Sequence, residues 1–77
     1  MKKIYHIIKD WKKEAKYEKV IQFKYDYKTH ILTLYVAYPG YLIGRAGNLY
    51  NKYIEILNKE GHNVKEIKFE EVNPIWI

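Results

Sequence analysis

The chain has no cysteine, one methionine, two prolines and four glycines in 77 residues. Without cysteine there is no disulfide framework, no thiolate metal site and no thiol nucleophile, and a reducing, cytoplasmic setting is expected. With so little proline and glycine, each one is informative about where the chain turns. Acidic residues are the minority sign: nine Asp and Glu against fourteen Lys and Arg leave a formal net charge of +5. That excess on a small body sets up a positive field that draws polyanions. No apolar run is long enough to cross a bilayer, since the longest, residues 31–43, is interrupted by Thr33, Pro39 and Gly40. The first residues do not read as a secretory leader, because Lys2, Lys3, His6 and Lys9 break up their apolar positions. A membrane partner is not expected.

What the chain has in quantity is tyrosine: nine, against two Phe and two Trp. A chain of this length is expected to form one domain, residues 1–77, with nearly every large apolar side chain in a single core. Ile4, Ile7, Ile8, Trp11 and Ala15 recur at helical spacing, and Lys9, Lys12, Lys16 and Lys19 recur on another face, with no Pro or Gly before Val20. The period then becomes two. Ile21, Phe23, Tyr25 and Tyr27 alternate with Gln22, Lys24 and Asp26, which predicts a strand that buries those four. After Lys28-Thr29-His30, a second strand alternates Leu32, Leu34 and Val36 with Thr33, Tyr35 and Ala37, so the two should pair as a hairpin.

Pro39-Gly40 ends that strand, and Tyr41-Leu42-Ile43 reads as a brief helical turn. A long helix follows, with Asn48 as its expected N-cap and Tyr50, Tyr53, Ile54 and Leu57 on its core face, until Gly61 stops it. Residues 64–72 read as a third strand with Ile67 and Phe69 inward, parallel to the second because a helical crossover joins them. The expected architecture is α+β, a two-layer sandwich in the order α-β-β-α-α-β, its three-stranded mixed sheet covered on one face by helices. The apolar end, residues 74–77, is expected to fold back over the sheet or to dock on a partner.

Between the short and long helices lies Gly44-Arg45-Ala46-Gly47. Two glycines permit a tight turn and close approach of another backbone, while the following helix directs its first N–H groups and positive dipole end toward the turn. Phosphate suits such a place. Arg45 is the single arginine of the chain, and its planar donors match phosphate oxygens. A purely structural turn with a solvated arginine is the alternative.

The run Pro39-Gly40-Tyr41-Leu42-Ile43-Gly44-Arg45-Ala46-Gly47 resembles the KH-domain signature, a hydrophobic pair followed by GxxG. With a helix and strand placed before the core, the order resembles type II KH domains. It is most like the KH domain of the bacterial small-subunit ribosomal protein near the mRNA entry channel, or a small stand-alone KH protein. The resemblance implies a non-catalytic, single-stranded RNA-binding module that clamps about four unpaired nucleotides. Carried over by position, Gly44, Arg45, Ala46 and Gly47 form the clamp. Leu42 and Ile43 floor an apolar groove, to which Leu49 and Tyr50 contribute. Tyr41 is the stacking candidate, and Lys52 lies on the long helix close to the turn.

Single-stranded DNA is the variant ligand. Because one such module binds weakly, a homodimer, a protein partner or a larger ribonucleoprotein is implied. The competing reading is a KH-fold protein-interaction or assembly module, favoured by Ala46, apolar where the family often has a polar residue, and by Tyr50, where it usually has an aliphatic one. No cofactor is expected. His6, His30 and His62 lie on different elements without metal-ligand spacing, and no nucleophile–base pair or paired carboxylates are recognisable, so neither a metal site nor catalysis is expected.

Overall fold

The computed structural model describes residues 2–73; the terminal segment 74–77, expected to fold back over the sheet or to dock on a partner, lies outside them. The elements are α1 (Ile4–Glu14), β1 (Gln22–Asp26), β2 (Ile31–Val36), α2 (Pro39–Ile43), a single 3-10 turn (Arg45–Gly47), α3 (Asn48–Lys59) and β3 (Glu66–Glu71). They form an α+β arrangement with a three-stranded mixed sheet in the order β1-β2-β3. β1 runs antiparallel to β2 with Phe23 opposite Leu34, and β2 runs parallel to β3 with Leu32 opposite Ile67. No helix among the described residues is long and apolar enough to cross a membrane.

The core follows from the two periodicities. Leu32, Leu34 and Val36 are fully buried on one face of the central strand, and Ile7, Ile8 and Trp11 from α1 and Tyr53 and Leu57 from α3 close over them. Each buried leucine of this kind contributes about 1.5–3 kcal/mol. Trp11 is wholly enclosed. Its indole stacks on Tyr53 at 5.1 Å, meets Phe69 edge-on at 6.1 Å, and donates its N–H to the Leu42 carbonyl at 2.8 Å.

Three expectations about elements are corrected. First, α1 ends at Glu14, not near Val20. The Tyr17 and Lys16 N–H groups donate to the Lys12 and Lys13 carbonyls, at 3.0 and 3.2 Å, and Lys16 sits at φ 56. This double bond pattern is a Schellman stop built on lysine in place of glycine. The left-handed residue costs about 1–2 kcal/mol, offset by delivery of Tyr17 into the core, where its hydroxyl accepts the Ala37 N–H at 2.8 Å. Second, β1 is an edge strand, so only part of its inward face is covered: Phe23 is partly exposed, and Tyr27, beyond the strand, is 82% exposed. Third, α2 begins at Pro39 and not at Tyr41, and β2 has already ended at Val36, so Pro39 opens the helix and does not end the strand. At the other end of the chain, Gly61 closes α3 with the same pattern as Lys16, its N–H meeting Asn58 O and that of His62 meeting Leu57 O.

Glu14, on the last turn of α1, joins that helix to α3. Its carboxylate accepts from Lys52 Nζ at 2.8 and 2.9 Å and from the Tyr53 hydroxyl at 2.6 Å. The lysine bond, then the tyrosine bond, hold the Glu14 carboxyl below its usual range. Burial first and this bond second push the Tyr53 hydroxyl well up.

Two outcomes follow from this packing. Trp11→Phe removes a buried donor and leaves the Leu42 carbonyl unpaired, so urea unfolding should show a loss of about 2–3 kcal/mol. For Glu14 the folded value is depressed, so its contribution is present above the ordinary glutamate range of about 4.3 and is lost as pH falls through the folded value. Thermal melts across the acid range should therefore fall less steeply in Glu14→Gln than in the parent, and identical acid limbs would show that the link does not form in solution.

Candidate nucleic-acid interface

α2 is a single short helix whose position is fixed from both ends. Pro39 stands at its first position, where the fixed φ suits a helix and the missing N–H is not needed. Just before it, the Tyr17 hydroxyl holds the Ala37 amide. Toward its end, the Leu42 carbonyl is taken by Trp11 and the Gly44 N–H donates to Gly40 O at 3.1 Å. The turn that follows is thereby anchored to the core.

The turn itself needs its glycines unequally. Gly44 has φ 78 and ψ 178, a region open essentially to glycine alone. A Cβ there would collide with Asn48 Oδ1 and lie 3.0 Å from Leu49 Cγ and 3.1 Å from Leu49 N. Gly47, at φ 77 and ψ 16, is left-handed, but a Cβ there would meet only Asn51 Nδ2 at 3.9 Å. Ala46 is also left-handed, at φ 54, an uncommon conformation for a residue with a side chain.

The Gly47 N–H is taken by Gly44 O at 3.2 Å and the Asn48 N–H by Arg45 O, whereas the Arg45 and Ala46 amides have no hydrogen-bond partner among the described residues. Both residues are exposed, and the Arg45 guanidinium makes no ion pair among the described residues. No acidic residue occurs between Asp26 and Glu55. Asn48, expected as a cap, is the first residue of α3; Gly47 precedes the helix and no side chain caps it.

The other predicted site residues divide into two groups. Ile43 and Leu49 are half-buried beside the turn, and Tyr41 is 59% exposed on α2. Three residues point elsewhere. The side chain of Leu42 is wholly buried and offers no groove floor, because its face of α2 is the one that packs on the core. Tyr50 turns toward the sheet, its ring near Phe69 and its hydroxyl accepting the Ile67 N–H at 3.2 Å. Lys52 is paired with Glu14 on α1.

Sequence reasoning missed Tyr38. Its ring meets Tyr41 edge-on at 6.1 Å, and Tyr41 in turn meets Tyr17 at 6.3 Å. Tyr38 and Tyr41 are three residues apart on either side of a helix-starting proline, and that spacing was the available signal. The open depression beside them, of about 600 Å³, is lined by Ala37, Tyr38, Pro39, Gly40, Tyr41 and Glu71. Among the described residues, no group of three or more His, Asp or Glu is placed to hold a metal ion.

Comparison with known proteins returns no matching family model, no matching curated protein and no matching solved structure.

The backbone angles rank the two glycines. Gly44→Ala should destabilise the fold by about 2–3 kcal/mol, through strain and collision together, and Gly47→Ala by about 1 kcal/mol. Chemical denaturation of the two variants measures both, and equal losses would mean that the turn adopts another conformation.

Proposed function

We propose that the protein is a type II KH-like module that binds single-stranded RNA through residues 44–47. The observation that carries this reading is the turn. A strand, a short helix and a glycine-flanked bend bring together two amides without a partner among the described residues and an exposed arginine at the start of a long helix. Anionic oxygen complements each of those groups: the amides as free donors, the helix start by its dipole, the guanidinium by charge and shape. Nothing acidic in the neighbouring sequence opposes it. The half-buried Ile43 and Leu49 flank the bend and supply apolar surface for bases, and an unpaired strand of about four nucleotides fits a clamp of this kind. The role is binding and not catalysis, and the module acts beside other binding domains or in a ribonucleoprotein, where linkage raises effective concentration.

An Arg45→Asp, Ala46→Asp double variant tests the reading, because both positions are exposed and the fold does not depend on their side chains. Short single-stranded RNA titrated into the parent should shift the Arg45 and Ala46 amide resonances. The variant should bind at least about tenfold more weakly, with a log–log salt slope shallower by roughly 0.7 for each phosphate it no longer neutralises. A parallel DNA titration reports on the sugar. Equal affinity of parent and variant, with both folded, would turn the assignment toward a protein-interaction module.

A further inference from the structure

Two depressions meet at the start of α2, and the Tyr38 and Tyr41 rings form the wall between them. On one side, of about 600 Å³, the remaining lining includes Pro39, Gly40 and Glu71. On the other, of about 340 Å³, it is Lys16, Tyr17, Glu18 and Lys19. The rings are 45% and 59% exposed, whereas Tyr17 beneath them is 4% exposed. Their orientation is set from below, since Tyr41 rests edge-on against Tyr17 and the Tyr17 hydroxyl is bonded to the Ala37 amide. Neither Tyr38 nor Tyr41 uses its hydroxyl in a hydrogen bond with another described residue. Packing therefore accounts for where the rings are held but not for their exposed faces.

The two sides differ chemically. One is mostly apolar with Glu71 as its one charged lining residue; the other holds two lysines against one glutamate. A nucleotide has the same asymmetry, with an anionic phosphate at one end and a flat base with hydrogen-bond donors at the other. We infer that a nucleotide of single-stranded RNA straddles the tyrosine pair, its base against the rings on the Glu71 side and its phosphate between Lys16 and Lys19. This rests on the reading that residues 44–47 hold an RNA strand, and it lengthens that footprint along α2. The helix rises only about 6 Å over its five residues, so the two contact points lie within reach of one short strand. An ionised carboxylate only accepts hydrogen bonds, so Glu71 favours a base with an exocyclic amine. Cytosine and adenine are thus preferred to uracil, as carboxylates elsewhere select the cytosine amine.

The test uses the whole chain with short homo-oligomers of C, A and U, read by fluorescence anisotropy and by tyrosine ring resonances. A Tyr38→Ala, Tyr41→Ala variant should lose about tenfold in affinity for the C and A oligomers. Tyr38→Phe with Tyr41→Phe should keep it, which separates stacking from a general loss of structure. Glu71→Gln should bring the U oligomer close to the others, and Lys16→Ala with Lys19→Ala should flatten the salt dependence. Alanine variants that bind like the parent, while Arg45→Asp abolishes binding, would overturn the tyrosine site and leave the turn standing. Loss in the tyrosine variants with Arg45→Asp unaffected would do the reverse. A parent chain that binds none of the oligomers overturns both, and unchanged base preference in Glu71→Gln overturns the selectivity.

Discussion

One buried hydrogen bond, from the Trp11 indole N–H to the Leu42 carbonyl, sets the position of everything on the candidate face. It joins the first helix to the far end of a five-residue helix that has too few internal bonds to hold itself in place. A carbonyl buried without that partner would be costly, so the bond and the packing of Trp11 against Tyr53 and Phe69 act together. Both ends of α2 inherit the result, since this bond and the buried Leu42 side chain together tie the short helix to the core. The Tyr17 hydroxyl does the same for the chain entering α2, from the residue that the lysine-based helix stop throws inward.

The turn carries local strain that its surroundings support. Gly44 occupies a region closed to other residues, and Ala46 holds a left-handed conformation with a side chain attached. Strain of this kind persists where neighbouring structure over-determines it, and it clusters where a backbone has to be presented in one geometry. Here it leaves the Arg45 and Ala46 amides without a partner among the described residues, while the Asn48 carboxamide and Leu49 occupy the space a Cβ on Gly44 would need.

Much of this was legible in the residues. The clean alternation of Leu32, Leu34 and Val36 identified the second strand, and the helical crossover implied its parallel partner. What escaped had physical causes that local pattern does not encode. Lys16 ends α1 in a conformation that sequence rules reserve for glycine, because the gain lies in Tyr17 reaching the core. Tyr27 matches the period of a buried strand face but lies past the end of an edge strand with nothing above it. Lys52 and Tyr50 are near the turn in sequence, yet the rotation of α3 sends one to Glu14 and the other to the sheet. Leu42 shows the same limit at closer range, since one residue of offset separates the core face of α2 from its outer face.

The charge distribution shapes any ligand the face accepts. Of the chain's fourteen cationic side chains, Arg45 alone lies in the turn, while Lys2 and Lys52 are occupied by Asp10 and Glu14. A turn with a single arginine would neutralise few phosphates, so counterion release there would supply only a small share of any affinity for a nucleic acid. The remainder has to come from contacts that salt does not screen, which are apolar and stacking surface. On the described face that surface is Ile43 and Leu49 at one end of α2 and two half-exposed tyrosine rings at the other. A strand bound along α2 as proposed would meet both, and its phosphates would then need no continuous basic track. The lysine stripe expected along α1 is not one: it is cut where the helix stops at Glu14, and the break places Lys16 and Lys19 beside the rings instead of on the helix surface.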